Sequence, residues 1–186
     1  MGVLAVITPI ILWIFYPIHP RPVLSGDEKR KGITIKYPLK DWEPVIPGDF
    51  DGEVIRFILK NQKQADSCTV EIAISIKNLP PRLLSLEESK NLALKTIERI
   101  NPNQQITDET KPSTTLSSFN AYKLTYTRQE IQCKQQVLEV GTVRNGKLYF
   151  VTYTAELAKY SQYLSTAEAM IQSFKINEAG KSYSFE

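Results

Sequence analysis

Apolar residues alternate with polar ones in several short runs along the chain. The clearest run is 69–76, in which four apolar residues share one face: Val70, Ile72, Ile74 and Ile76. This period of two is typical of a β-strand with one buried face. The same pattern predicts further strands at 33–37, 55–59, 122–126, 136–143 and 148–155.

The last two of these strands are joined by a turn signal. The residues between them include Asn145-Gly146, a pair that accepts the positive φ angles of both central positions in a type I′ turn. The pair therefore predicts a β-hairpin, in which 136–143 and 148–155 lie antiparallel.

Two helix starts are indicated by a Ser followed three residues later by a Glu, which is the spacing of a capping box. Ser85 and Glu88 precede an apolar stripe of helical period that ends at Asn101-Pro102. Ser165 and Glu168 precede a second stripe with the same period. We therefore expect one helix to begin at Ser85 and another at Ser165.

The order of these elements predicts an α+β fold. Three strands, a helix, three strands and a helix favour an antiparallel β-sheet of about six strands with helices packed on it. Residues 32–176 are expected to form this domain. Residues 19–31 are polar and contain proline, which indicates a linker, and residues 177–186 form a polar tail.

The N-terminal segment has the composition of a membrane anchor. Residues 1–18 carry no charged side chain and, at about 1.5 Å per residue, reach across a hydrocarbon core as a helix. A cleaved signal peptide is the main alternative, but the segment lacks a basic start and an Ala-x-Ala site. Basic residues after the segment favour a cytoplasmic domain. A start directly in apolar sequence instead suggests a longer gene product with its cytoplasmic charges upstream.

The net charge of +3 does not indicate nucleic-acid binding. Residues 1–31 hold four basic and two acidic side chains, and the rest of the chain holds 19 basic and 18 acidic ones. A nucleic-acid site needs basic residues concentrated on the folded domain. We therefore expect no nucleic-acid partner.

Few residues support catalysis or metal binding. The only histidine is His19, before the predicted domain, so a Ser-His-Asp or Cys-His arrangement lacks its base there. Asp49, Asp51 and Glu53 share a short loop, but their spacing is not that of an EF-hand and favours a solvated turn. No nucleotide-binding or kinase motif occurs in the sequence. We expect no enzymatic activity, no catalytic residue, no metal site and no cofactor.

The two cysteines precede predicted strands. Cys68 comes before the third strand and Cys133 before the fifth. If the fourth strand lies between these two and runs antiparallel to both, the cysteines fall at the same end of the sheet. The sequence then favours a disulfide, which requires an oxidising compartment. Two unrelated, half-buried thiols are the alternative.

Four tyrosines lie on predicted strands: Tyr122, Tyr126, Tyr149 and Tyr153. They could line a ligand groove. An aromatic stripe on strands belongs more often to the core, however, and the core is the favoured interpretation.

Several stretches resemble the PsbP-like domains of cyanobacteria. The resemblance extends from Gly32 to Ile176 and is carried by GITIKYPLKDW (32–42), GEVIRFIL (52–59), VEIAISIKNLP (70–80), SLEE (85–88) and KLYFVTYTAE…KYSQYLSTAEAMIQSFKI (147–176). It implies a PsbP-like α/β/α sandwich. The chain departs from the family pattern at Gly141, where an aromatic residue is common.

The resemblance implies two functional contexts. One is the region beyond the membrane span of cyanobacterial serine/threonine kinases, in which the domain resembles a sensor. An apolar segment, a linker and this domain are similar to that arrangement. We therefore expect a membrane-tethered, non-catalytic sensor or interaction module with a protein or small-molecule partner. It would lie on the extracytoplasmic side, periplasmic or thylakoid-lumenal. The alternative is an accessory extrinsic protein of photosystem II or another photosynthetic complex, and an unrecognised hydrolase is the third class.

Overall fold

The structure is a computed structural model that describes residues 22–47, 52–62, 68–80, 85–102, 105–130 and 133–177. The predicted anchor 1–18 and His19 lie outside the described residues. In chain order, the elements are β1 (Gly26–Arg30), β2 (Ile33–Tyr37), β3 (Trp42–Val45), β4 (Glu53–Leu59), β5 (Glu71–Asn78), α1 (Leu86–Ile100), β6 (Ile106–Asp108), β7 (Thr115–Leu116), β8 (Phe119–Asn120), β9 (Tyr122–Gln129), β10 (Lys134–Arg144), β11 (Lys147–Glu156), α2 (Leu157–Ser173) and β12 (Lys175–Ile176).

A seven-stranded antiparallel sheet forms the centre of the fold and confirms the predicted α+β class. From one edge to the other, its order is β3-β4-β5-β11-β10-β9-β6. β10 and β11 form the predicted hairpin, and Asn145 and Gly146 have positive φ angles of 50° and 70°. This turn sets the register of the two strands, because a two-residue loop leaves no slack between them.

A separate three-stranded sheet contains the first predicted strand, so the expectation of one sheet for all strands is wrong. β2 pairs with β1 on one side and with β12 on the other. β1 lies inside the stretch predicted as a linker. Its GDEKR sequence shows no apolar alternation because it is an edge strand with mostly exposed or half-buried side chains.

α1 begins and ends as the sequence predicts. The Oγ of Ser85 accepts a hydrogen bond of 3.1 Å from the backbone N–H of Glu88. The Glu88 carboxylate in turn accepts one of 2.7 Å from the backbone N–H of Ser85. This capping box satisfies two amides that a helix start leaves without partners. At the other end, the backbone N–H of Asn101 donates to the carbonyl of Ile97.

α2 begins at Leu157, well before the predicted start at Ser165, and that prediction is wrong. Ser165 lies inside the helix, and the N-cap residue is Glu156, which makes no side-chain cap hydrogen bond. The apolar stripe of the helix extends back to Tyr160, which belongs to the same core cluster as Met170. Burial of this longer stripe, and not a capping box, therefore accounts for the start of α2.

The two helices pack on opposite faces of the seven-stranded sheet, which gives the α/β/α sandwich that the resemblance implied. On β10, Leu138 and Val140 belong to the core cluster that contains residues of α2, whereas Glu139 lies in a groove beside α1. Successive side chains of a strand point to opposite faces, so β10 contributes to both layers. On the α1 side, Ile97 packs with Leu148 of β11.

Candidate functional site

A groove of about 410 Å3 lies between α1 and the sheet, and we call it the α1 groove. Side chains of β5, β9, β10 and β11 form its floor, and one face of α1 forms its wall. Its size is typical of small-molecule sites. The residues on which its chemistry depends are Lys77, Ser89, Tyr122, Tyr126, Glu139 and Phe150.

The α1 groove is open because α1 buries few of its own residues. Ser89 and Ile97 are the buried residues of this helix. Leu92 and Ile100, which also line the groove, are 52% and 65% exposed. An apolar stripe left exposed beside a cavity marks a candidate binding surface.

A buried acid lies in the floor of the α1 groove. Glu139 is 9% exposed, and its Oε1 accepts a hydrogen bond of 2.7 Å from the hydroxyl of Tyr122. Burial raises the pKa of the Glu139 carboxyl above its ordinary range, while the hydrogen bond from Tyr122 and the charge of Lys77 oppose that rise. Burial is the largest of these effects, and it disfavours the charged form of this carboxyl.

Gly141 gives Tyr122 the room to reach Glu139. Gly141 lies directly opposite Tyr122 in the pairing of β10 with β9, on the same face as Glu139. A Cβ at Gly141 would lie less than 3.0 Å from atoms of the Tyr122 ring. The position at which the family pattern led us to expect an aromatic residue is thus covered by a ring from the neighbouring strand.

Ser89 contributes a hydroxyl without a partner to the same groove. The residue is 1% exposed, and its Oγ has no hydrogen-bond partner in the part of the chain that the structure describes. A buried polar group that lacks a hydrogen bond costs about 1–3 kcal/mol. A ligand group that bonds to Ser89 Oγ would remove this cost.

Two cationic side chains line the groove and are already engaged within the chain. The ammonium of Lys77 lies 5.5 Å from the centroid of the Phe150 ring, a cation–π contact. The Nε of Arg128 donates to Gln135 Oε1 at 2.7 Å and lies 3.1 Å from Glu130 Oε1. Neither cation needs a ligand to compensate its charge.

A second groove, of about 520 Å3, lies on the other side of the molecule near Trp42 and Tyr163. The charged residues that line it, Lys40 and Asp41, are exposed to solvent. Water therefore compensates their charges, and this groove offers a ligand less than the buried acid of the α1 groove does.

A disulfide joins Cys68 and Cys133, the pair that the sequence favoured, with Cα atoms 6.3 Å apart. The topological reason given from the sequence is wrong in one respect. The strand between β5 and β10 is β11, not β9. Both β5 and β10 are antiparallel to β11, so they run in the same direction and begin at the same end of the sheet.

The disulfide also holds the turn at one end of the α1 groove. The carbonyl of Cys133 accepts hydrogen bonds from the backbone N–H of Glu130 at 2.9 Å and from Gln129 Nε2 at 3.1 Å. Gln129 and Glu130 both line the groove. The bridge therefore ties this end of the groove to the start of β5.

The four tyrosines are divided between the two faces of the sheet. Tyr122 and Tyr126 line the α1 groove, although Tyr122 is also 1% exposed and packs with Leu124. Tyr149 and Tyr153 belong to the core cluster on the α2 side. The core interpretation is therefore confirmed for Tyr149 and Tyr153, whereas Tyr122 and Tyr126 line a groove and the binding of a ligand there stays a prediction.

The acidic loop is described only in part. Glu53 forms an ion pair of 2.8 Å with Arg56, while Asp49 and Asp51 lie outside the described residues. Within the described ranges, no cluster of three or more potential metal ligands occurs. No helix in these same ranges combines the length and the apolar character that a membrane span requires.

Sequence reasoning missed Glu139 and Ser89. The signal for Glu139 was a single acid inside the apolar stretch 137–143 (VLEVGTV). A charged residue is rarely buried, so its presence in an apolar strand is unusual. Ser89 gave no signal, because a serine on a helix is common and its burial depends on how α1 packs.

Comparisons with known proteins agree with this fold. A family model described as PsbP-like protein matches residues 27–176. The solution structure of cyanobacterial PsbP (CyanoP) from Synechocystis sp. PCC 6803 is similar, with a TM-score of 0.55 at 15% identity over 78% of this chain and 86% of that one. LpqN of Mycobacterium tuberculosis, described as involved in cell envelope biogenesis, has a TM-score of 0.54 at 15% identity, over 78% and 83%. No curated protein matches the chain in sequence.

At 15% identity, these two structures are evidence of the fold alone. The family model, in contrast, matches by sequence and covers the domain from β1 to β12. The chain therefore belongs to the PsbP-like protein family.

Proposed function

We propose that this chain is a non-catalytic sensor or interaction module that binds its ligand in the α1 groove. The observation that carries the proposal is the buried Glu139 in the floor of an open cavity with both polar and apolar walls. Burial disfavours the charge of Glu139 despite its hydrogen bond from Tyr122, and the Ser89 hydroxyl has no partner among the described residues. A bound ligand that contacts both would compensate them.

An extracytoplasmic position is part of this proposal, and the Cys68–Cys133 disulfide supports it. Disulfides persist in oxidising compartments such as the periplasm and are rare where thiols are kept reduced. The bridge also holds the end of the α1 groove. A bridge at the end of the binding groove fits a module that works outside the cytoplasm.

Filling the α1 groove should abolish ligand binding. We expect compounds from a fragment collection to raise the melting temperature of the full chain but not that of an Ala93→Trp variant, because the indole occupies the cavity. Lys95→Trp is the matched control, since it adds the same ring on the exposed side of α1. Thermal shift and ligand-observed NMR provide the measurement. Compounds that bind all three proteins equally would contradict the groove as the binding site.

A membrane tether is the remaining part of the proposal, and it rests on residues 1–18 and on the resemblance to kinase-associated domains. We expect the full chain to stay in the membrane pellet after alkaline carbonate extraction. The double substitution Ile11→Lys and Leu12→Lys should release it, because each charge near a bilayer centre costs about 2.5–3.5 kcal/mol. Release of the unmodified chain, or a mature N-terminus beyond residue 18, would contradict the tether.

A further inference from the structure

We propose that the ligand of the α1 groove is a small apolar molecule that carries one ammonium group, which lies against Glu139. This inference rests on the proposed binding function and adds the chemical class of the ligand. It follows from the polar groups that the groove leaves unsatisfied, from its aromatic rings and from its size.

Glu139 and Ser89 both have capacity in the α1 groove to accept a further hydrogen bond. Among the described residues, a buried Glu139 carboxylate accepts one hydrogen bond, from the Tyr122 hydroxyl, whose proton is thereby used. The Oγ of Ser89 can also accept, and it has no partner within the described chain. An ammonium group supplies three donors, and its positive charge would add to that of Lys77, which already acts on the Glu139 carboxyl.

The aromatic rings of the groove favour the same group. Tyr122, Tyr126 and Phe150 line the cavity, and the face of an aromatic ring attracts a cation. The contact between the Lys77 ammonium and the Phe150 ring, at 5.5 Å, is an example within this chain. An anionic ligand is disfavoured, because Glu139 repels it and Arg128 is engaged with Gln135 and Glu130.

The remaining walls fit an apolar body. α1 contributes Leu92, Ala93, Ile97 and Ile100 to the lining, together with Thr96, and none of these is titratable. A cavity of about 410 Å3 accepts a chain of several carbons or a single ring, with the head group at Glu139. The apolar part of the ligand would cover the exposed side chains of Leu92 and Ile100.

The protonation of Glu139 gives this binding a pH dependence of known sign. Burial raises the pKa of the Glu139 carboxyl, and a carboxyl in its neutral form offers no charge to a cation. The titratable groups that line the groove around it are Lys77 on β5, Tyr122, Tyr126 and Arg128 on β9, and Glu130. A primary alkylammonium stays charged to about pH 10, as a lysine does. Its affinity should therefore rise with pH through the pKa of Glu139.

Three probes of equal length test the proposal on the full chain: hexylammonium, hexan-1-ol and hexanoate. Isothermal titration calorimetry at neutral and mildly acidic pH gives their affinities. We expect hexylammonium to bind roughly ten- to a hundredfold more tightly than hexan-1-ol, the range of one charge-assisted hydrogen bond. Glu139→Gln should reduce its affinity to that of hexan-1-ol, and Ser89→Ala should weaken it severalfold.

The outcomes separate the ligand class from the binding function. If hexan-1-ol binds as tightly as hexylammonium, or if Glu139→Gln changes nothing, the groove binds ligands but the ammonium class is wrong. If none of the three probes binds although fragments bind the groove, the ammonium class is wrong and the binding function stands; if no fragment binds either, both fail. If Glu139→Gln does not fold, the pH series of the unmodified chain decides. Hexylammonium affinity that falls or stays constant as the pH rises would overturn the proposal.

Discussion

Replacing Cys68 and Cys133 by serine is expected to lower the free energy of unfolding by about 4 kcal/mol. The bridge spans a sequence separation of 65 residues, and closing a loop of this length restricts the unfolded chain strongly. The Cα atoms, 6.3 Å apart, lie within the usual range for a disulfide, so the folded chain needs no rearrangement to form it. Denaturant unfolding of the double variant and of the unmodified chain, both without reductant, measures the difference.

Reductant supplies the control for this prediction. Dithiothreitol should bring the unmodified chain down to the stability of the double variant, and it should leave the double variant unchanged. Hydrogen exchange should then accelerate at Gln129 and Glu130, because the turn that the bridge anchors is released. If the oxidised chain and the double variant unfold at the same denaturant concentration, the bridge does not stabilise the fold.

Gly141→Val is expected to lower the free energy of unfolding by about 3 kcal/mol, at the upper end for overpacking of a core. The new side chain would occupy the space of the Tyr122 ring, because even a Cβ there lies within 3.0 Å of ring atoms. Displacing the ring also breaks its hydrogen bond to Glu139, which leaves a buried carboxyl without that donor. Denaturant unfolding measures the loss, and near-ultraviolet circular dichroism reports the displaced tyrosine.

Thr152→Val is the matched control for the Gly141 variant. Thr152 lies opposite Glu139 in the pairing of β11 with β10, on the same face of the sheet, and is half-buried. It should change the stability by about 1 kcal/mol or less, as most substitutions away from special contacts do. In a Tyr122→Leu background, the cost of Gly141→Val should shrink, since the ring is gone. An equal cost in both backgrounds would show that the clash with Tyr122 is not the cause.

The parts of the fold that depend on neighbouring residues could be predicted from the sequence. The alternation of Val70, Ile72 and Ile74 is a local pattern, and these residues are indeed 0–1% exposed on or beside β5. Ser85 and Glu88, three positions apart in the sequence, form the capping box of α1. The hairpin turn consists of two adjacent residues, Asn145 and Gly146. Ser165 and Glu168 show the limit of such signals, because the same spacing occurs inside α2, where no helix begins.

Edge strands could not be predicted in the same way. β1 is polar along its length, since its stability comes from hydrogen bonds to β2 and not from an apolar face of its own. The cysteine pairing was favoured for a reason that proved only half correct, because the sequence does not contain the order of the strands. β11 lies between β5 and β10 through contacts between residues far apart in the chain.

The sequence by itself determined the strand pattern, the start of α1 and the hairpin turn, because each depends on residues that are close together in the chain. It also determined the family, because a family is recognised from the order of residues along the chain. Only the tertiary structure decided the α1 groove. Glu139 and Tyr122 meet across two strands, and Ser89 reaches the same cavity from a helix. Gly141 has no side chain through which a pattern could reveal its role, and its need for glycine arises from a ring on the neighbouring strand. Such convergence depends on packing between layers, which no local pattern of residues specifies.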